Sequence, residues 1–253
     1  MASTAGSVAA GGRHPLQKLS SPSFGISAMV HLAGLSSFIA SFKFMVDHPN
    51  FANEAYGWHF QYLTIIGITL ATMTFTAGLA ADLLSSRRLF LVKNMLSVCG
   101  TPLEVLIALL YWGLKMVDEK LVVPEWAETA LIPDLGFHAV PALALVIDLL
   151  LFSPPWTITA MPSFGLATSI AFAYWFWVEQ CYRYNGWYPY PLFEKLTTPW
   201  RVALFLVSAA LMTLNTALLK WLYSKLNGEH KPAMSEAQFD KEQKATNGSL
   251  KGN

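Results

Sequence analysis

Three short stretches of this chain carry residue types that could do chemistry together. Thr64 closes the run Trp58-His59-Phe60-Gln61-Tyr62-Leu63-Thr64, and His138 follows Asp134 by four positions. A threonine hydroxyl is a weak nucleophile until a neighbouring base takes its proton. Neutral imidazole, titrating near pH 6.5, is the usual base. Asp134 would share a helix face with His138 and hold its tautomer. Asp148 is ten residues further on, about 15 Å along a straight helix, too far to orient the ring directly. The third stretch, residues 184–194, holds Asn185, Gly186, Trp187, Tyr188, Tyr190 and two prolines. Such a segment folds as a fixed cap rather than a helix. It reads either as an aromatic belt at a membrane interface or as a lid over an apolar pocket. Thr64 also has a plainer reading. Threonines in membrane helices bond back to their own backbone, and Thr69, Thr72, Thr74 and Thr76 share its segment.

The elements that must position these residues are membrane helices. Of 253 residues, 54% are hydrophobic and 13% charged, about half the charge of a soluble domain. A bilayer-spanning helix needs roughly 20 mostly apolar residues. Six runs approach that: 24–46, 60–81, 89–114, 135–152, 164–181 and 202–223. The expected fold is therefore an all-α integral membrane protein, a six-transmembrane helix bundle. Five spans is the alternative, because Ser27, His31, Ser36, Ser37 and Ser41 dilute the first run. Residues 1–23 form a polar N-terminal segment, 24–223 the membrane domain, and 224–253 a polar tail expected to be disordered. Even-numbered spans enter from one side. Thr64 and His138 then lie within about 7 Å of the same interface, with the third stretch on that side too. The bases Arg13, Lys18, Arg87, Arg88, Lys220 and Lys225 place both termini in the cytosol.

Net charge is +1, so no global field attracts nucleic acid. Two cysteines, Cys99 and Cys181, cannot staple a scaffold or build a zinc module. No ligand spacing for a metal and no cofactor motif is present, so none is expected. Ionisable groups at membrane depth are functional candidates by default. Besides His138 and Asp148 these are His31, Lys93, Glu104 and Glu179. Lys93 and Glu179 are expected to reach the interface.

At the three stretches the sequence resembles the androgen-induced gene and androgen-dependent TFPI-regulating protein family of transmembrane threonine hydrolases, whose members cleave fatty acid esters of hydroxy fatty acids. The matching pieces are the Trp58–Thr64 run, His138 with Asp148 ten later, and Gly186-Trp187-Tyr188-Pro189-Tyr190-Pro191-Leu192-Phe193-Glu194. Asn215 in the last run is similar to a family asparagine. The resemblance implies a helical bundle around a lipid-lined cavity, with Thr64 as nucleophile and His138 as base. It implies supporting roles for Asp134, Asp148, Asn185 and Asn215, and a lipid ester substrate drawn from the bilayer. Trp58, Trp187 and Tyr188 are expected to contact acyl chains. Oxyanion donors stay open among helix-start N–H groups, Asn185 and a tyrosine hydroxyl. Endoplasmic reticulum or another endomembrane is the expected location. A proton or small-solute carrier using Glu104, His138 and Asp148, or a non-enzymatic membrane adaptor, are the competing functional classes.

Overall fold

A bilayer offers no water to unpaired backbone groups, so apolar runs there fold as helices that satisfy themselves. The computed structural model describes residues 14–127 and 130–228. Residues 1–13 and most of the polar tail lie outside them, although 224–227 continue the last helix. The order is α1 (Ile26–Asp47), α2 (Leu63–Leu84), α3 (Arg87–Val117), α4 (Leu131–His138), α5 (Val140–Phe152), α6 (Ala160–Asn185), α7 (Leu192–Lys195) and α8 (Thr198–Asn227). Among the described residues every regular element is helical.

Four helices, α1, α2, α3 and α8, are long and apolar enough to cross a membrane. The pair α4 and α5, bent by 41°, adds a fifth. Its break has a local cause. Pro141 opens α5, and its ring would collide with the carbonyl one turn back. Length and composition thus support four or five spans rather than six. The fifth run, 164–181, does form a helix, α6, with 26 residues and a length of about 39 Å. Trp175, Trp177, Glu179, Gln180 and Arg183 make it too polar to match the others.

The helices α1, α2, α4 and α5 pack as a core around Phe38, Ile68, Phe75 and Leu145, all fully buried. Gly34 makes room on α1 for the Phe75 ring, which any side chain there would overlap. The last helix, α8, lies against α3 and α5 and carries α6 on its other side. Along this face α3 and α6 hardly touch.

One end of the bundle holds a buried polar cluster. His31 Nδ1 lies 2.7 Å from Asp82 and its Nε2 lies 3.1 Å from Asp148. Lys93 Nζ donates to Asp148 and to the Ser153 hydroxyl, both at 2.9 Å. Lys93 is fully buried, so it does not reach the interface. Burial of a lysine is tolerable only when it is paired, and here it is. The segment before α1 covers this end. The Ser23 N–H and the Ser27 hydroxyl donate to Asp82, and the Tyr223 hydroxyl is bonded to the carbonyls of Leu16 and Ser153.

Candidate active site

Thr64 sits at the opposite end, one residue into α2. The segment leading to it is pinned by α6. Gly57 has φ +85°, a left-handed conformation that favours glycine. A Cβ there would also lie 2.7 Å from Cys181 Sγ. Asn185 accepts from the Tyr56 N–H at 2.8 Å and donates to the Tyr56 carbonyl at 3.0 Å. Trp177 donates to the Phe60 carbonyl at 3.0 Å and Tyr174 to the Gln61 carbonyl at 2.9 Å. His59 lies 3.2 Å from the Asn53 amide oxygen, and burial pulls its pKa below the usual value.

The first N–H groups of a helix have no partner inside it. Here tyrosines supply them. The Leu63 N–H donates to the phenol oxygens of Tyr174 and Tyr190, each at 3.1 Å. The Tyr190 phenol also interacts with the backbone N–H and hydroxyl of Thr64. Burial raises its pKa, so Tyr190 keeps its proton at neutral pH.

Thr64 opens onto a cavity between α3, α6 and α8. It encloses about 870 Å³ of empty space, open mouth included. The wall is apolar except for Thr64, Tyr111, Tyr174, Tyr190 and Ser208. It ends where Leu103, Ala167, Ala209 and Met212 pack together. The cavity lies where α3 and α6 stay apart.

His138 ends α4. Its Nδ1 lies 2.9 Å from Asp134 Oδ1. The same carboxylate accepts from the Tyr111 hydroxyl at 2.6 Å and from Lys115 Nζ at 2.8 Å. A carboxylate only accepts, so Nδ1 carries a proton, and in the neutral ring Nε2 is the nitrogen with the lone pair a base needs. The Tyr111 ring stacks flat on the imidazole, centroids 3.4 Å apart and 3° from parallel. Tyr111 is therefore shared: it covers His138 and lines the cavity that Thr64 opens onto. Among the described residues no hydrogen bond joins Thr64 to His138.

The other sequence candidates fall in several places. Asp148 belongs to the polar cluster at the far end, with His31 and Lys93. Asn185 spends its amide on the Tyr56 backbone. Asn215 is buried, 3.5 Å from the Pro102 carbonyl, just past the end of the cavity. Glu104 is buried and bonds to neither His138 nor Asp148; its Oε1 has no partner among the described residues. Trp58 packs against the core. Trp187 lies against Phe51 and Trp126. Tyr188 is buried and donates to Glu179 at 3.1 Å. None of these three aromatics lines the cavity. The residues that sequence reasoning missed are Tyr111, Tyr174, Tyr190 and Lys115. Only Tyr190 had a signal, as part of the third stretch. No group of three metal-binding side chains occurs among the described residues.

Two comparisons find relatives. A family described as FAR-17a/AIG1-like protein matches residues 26–224. A UPF0641 membrane protein of Schizosaccharomyces pombe is 31% identical over 191 residues, which is 74% of this chain and 85% of the relative. No solved structure matches.

Proposed function

The chain belongs to the FAR-17a/AIG1-like family of membrane proteins, and from that premise we propose that it is an intramembrane hydrolase of long-chain lipid esters. The observation that carries this reading is the place of Thr64. Its hydroxyl stands at a helix start, beside two phenols, in the wall of an otherwise apolar cavity. That combination suits a fatty acyl ester: a dry slot for the chain and polar groups where the carbonyl would rest.

In the reaction, His138 Nε2 takes the proton of Thr64 Oγ1, whose oxygen adds to the ester carbonyl. The tetrahedral intermediate collapses to an acyl-threonine, and the leaving alcohol takes the proton back from His138. Water, deprotonated by His138, then releases the fatty acid and restores Thr64. Asp134 holds the ring throughout, as an orienting carboxylate does in serine triads. The proton transfer needs His138 and Thr64 to close on one another or to share a water, since catalytic hydrogen bonds are often open before substrate binds. Displacement of the Tyr111 ring by the substrate would open His138 to the cavity. Tyr190, neutral and beside Thr64, is the donor we assign to the developing oxyanion. Asn185 is committed elsewhere. The substrate approaches sideways from the bilayer through the gap between α3 and α6. Cytosolic termini and an endomembrane location complete the proposal.

The test is hydrolysis of a branched fatty acid ester of a hydroxy fatty acid by membranes holding wild type or Thr64→Ala. Activity lost in Thr64→Ala at equal protein level supports the reading. Equal activity in both removes Thr64 as nucleophile.

A further inference from the structure

The cavity has a direction and a floor. Its wall on α6 runs from Tyr174, which touches the backbone next to Thr64, to Ala167. On α8 it runs from Leu204 and Phe205 to Met212, and on α3 from Leu114 to Leu103. In chain order α8 runs from the Thr64 end toward the floor, while α3 and α6 run from the floor toward Thr64. Seven residues separate Tyr174 from Ala167, and likewise Phe205 from Met212, roughly 10 Å at 1.5 Å per residue. At that depth Leu103, Ala167, Ala209 and Met212 close on one another, none more than 3% exposed.

What lies beyond the floor is polar. Asn215 follows Met212 by three positions and points its amide at the Pro102 carbonyl. The Thr101 hydroxyl, two residues past Leu103, pairs with Ser97 at 2.9 Å. A methylene chain gains by burial among Leu, Ala and Met, and loses that gain against hydroxyl and amide groups. Two of the four floor residues are alanines, where added carbons would project into the cavity.

We infer that Ala167, Ala209 and Met212 form an acyl-length gauge, which admits the acyl chain of the ester to a fixed depth and sets the chain length preferred. The occupant is one unbranched saturated acyl chain with its carbonyl at Thr64. This rests on the hydrolase reading, but concerns the far end of the slot and not the reacting groups.

Purified protein in detergent is assayed for kcat/KM on butyryl, octanoyl, dodecanoyl and palmitoyl esters of one alcohol. Ala209→Leu raises the floor, and the octanoyl-to-butyryl ratio falls about tenfold or more, the effect of a few methylenes refused by an apolar pocket. Met212→Ala lowers the floor and moves the ratio the other way, so a folding defect in one variant cannot imitate the result. A parallel measurement needs no catalysis: displacement of a fluorescent fatty acid probe by free fatty acids of the same lengths. The gauge predicts that both variants shift the best competitor in the same directions. A hydrolysing wild type whose length profile neither variant changes overturns the gauge and leaves the hydrolase reading standing. A wild type that hydrolyses none of the esters, but whose competition profile shifts in the variants, overturns the hydrolase reading and leaves the gauge. Unchanged competition profiles without hydrolysis overturn both.

Discussion

Asp134 accepts from three side chains on two elements: His138 from its own helix, and Tyr111 and Lys115 from α3. A carboxylate held this way fixes the imidazole tautomer while its remaining charge is balanced by lysine. Asp134→Asn keeps the shape but lets the amide donate, which turns the ring to its wrong tautomer. The expected fall in kcat is on the order of 10³–10⁴, with KM little changed, read from ester hydrolysis. Tyr190→Phe removes one oxyanion donor and should cost about 10²–10³ in kcat, while the Leu63 N–H keeps Tyr174 as acceptor. Equal rates for Tyr190→Phe and wild type would exclude Tyr190 as donor. At this scale the sequence was legible where spacing alone decides contact. The four-residue interval predicted the Asp134–His138 pair, which the helix delivers. Tyr111 and Tyr174 were not legible, because their roles depend on α3 meeting α4 and on α6 meeting the start of α2. Pairings between residues 27 or 111 positions apart leave no mark in local spacing.

At the scale of elements, the bilayer made the fold readable. A span must be apolar over a fixed length, so five of the six runs could be located from composition, and the remaining one, 164–181, is a helix all the same. The break inside the fourth run was less readable. Pro141 announced a weak point, but only packing shows that the chain bends there and leaves His138 at a helix end. The joint between α1 and α2 deserves a test of its own, since it aims Thr64. Gly57→Ala places a Cβ against Cys181 at a left-handed φ. The conformation alone costs about 1–2 kcal/mol, and thermal unfolding in detergent should move down accordingly, with hydrolysis reduced as well. The same joint contains His59, whose folded pKa lies below its ordinary value near 6.5 because it is buried. The unfolded joint therefore binds the proton more readily. Its stability is complete above pH 6.5 and falls as the pH drops from there towards the folded pKa. Protection factors of residues 51–61 against hydrogen exchange should fall over that range, and His59→Gln should flatten the dependence.

For the whole molecule, the two ends do different work. The Thr64 end is a slot bounded by tyrosines, and the other is a set of charges closed off from solvent. The second end shapes stability rather than chemistry. Lys93→Met leaves the Asp148 carboxylate short of its ammonium partner and should destabilise by about 3–5 kcal/mol. Adding Asp148→Asn removes the surplus charge and should restore most of the loss, with unfolding temperature as the readout. If the double variant is no better than the single one, the pair is not the source of the effect.

The buried cluster also dictates an order of assembly during synthesis. Asp82 and Lys93 belong to α2 and α3, but Asp148, the group that links Lys93 to His31, is made more than fifty residues later. A nascent chain that has released its first three helices holds Asp82 already bonded to His31, Ser23 and Ser27, but its Lys93 ammonium has neither Asp148 nor Ser153. Such a chain must wait at the insertion machinery, or hold those helix ends at the water boundary, until α5 arrives. Ribosome-bound chains ending before residue 148 should therefore stay accessible to water-soluble reagents at Ser97→Cys, one helical turn from the retained Lys93 and buried in the finished fold, and chains extending past α5 should become protected.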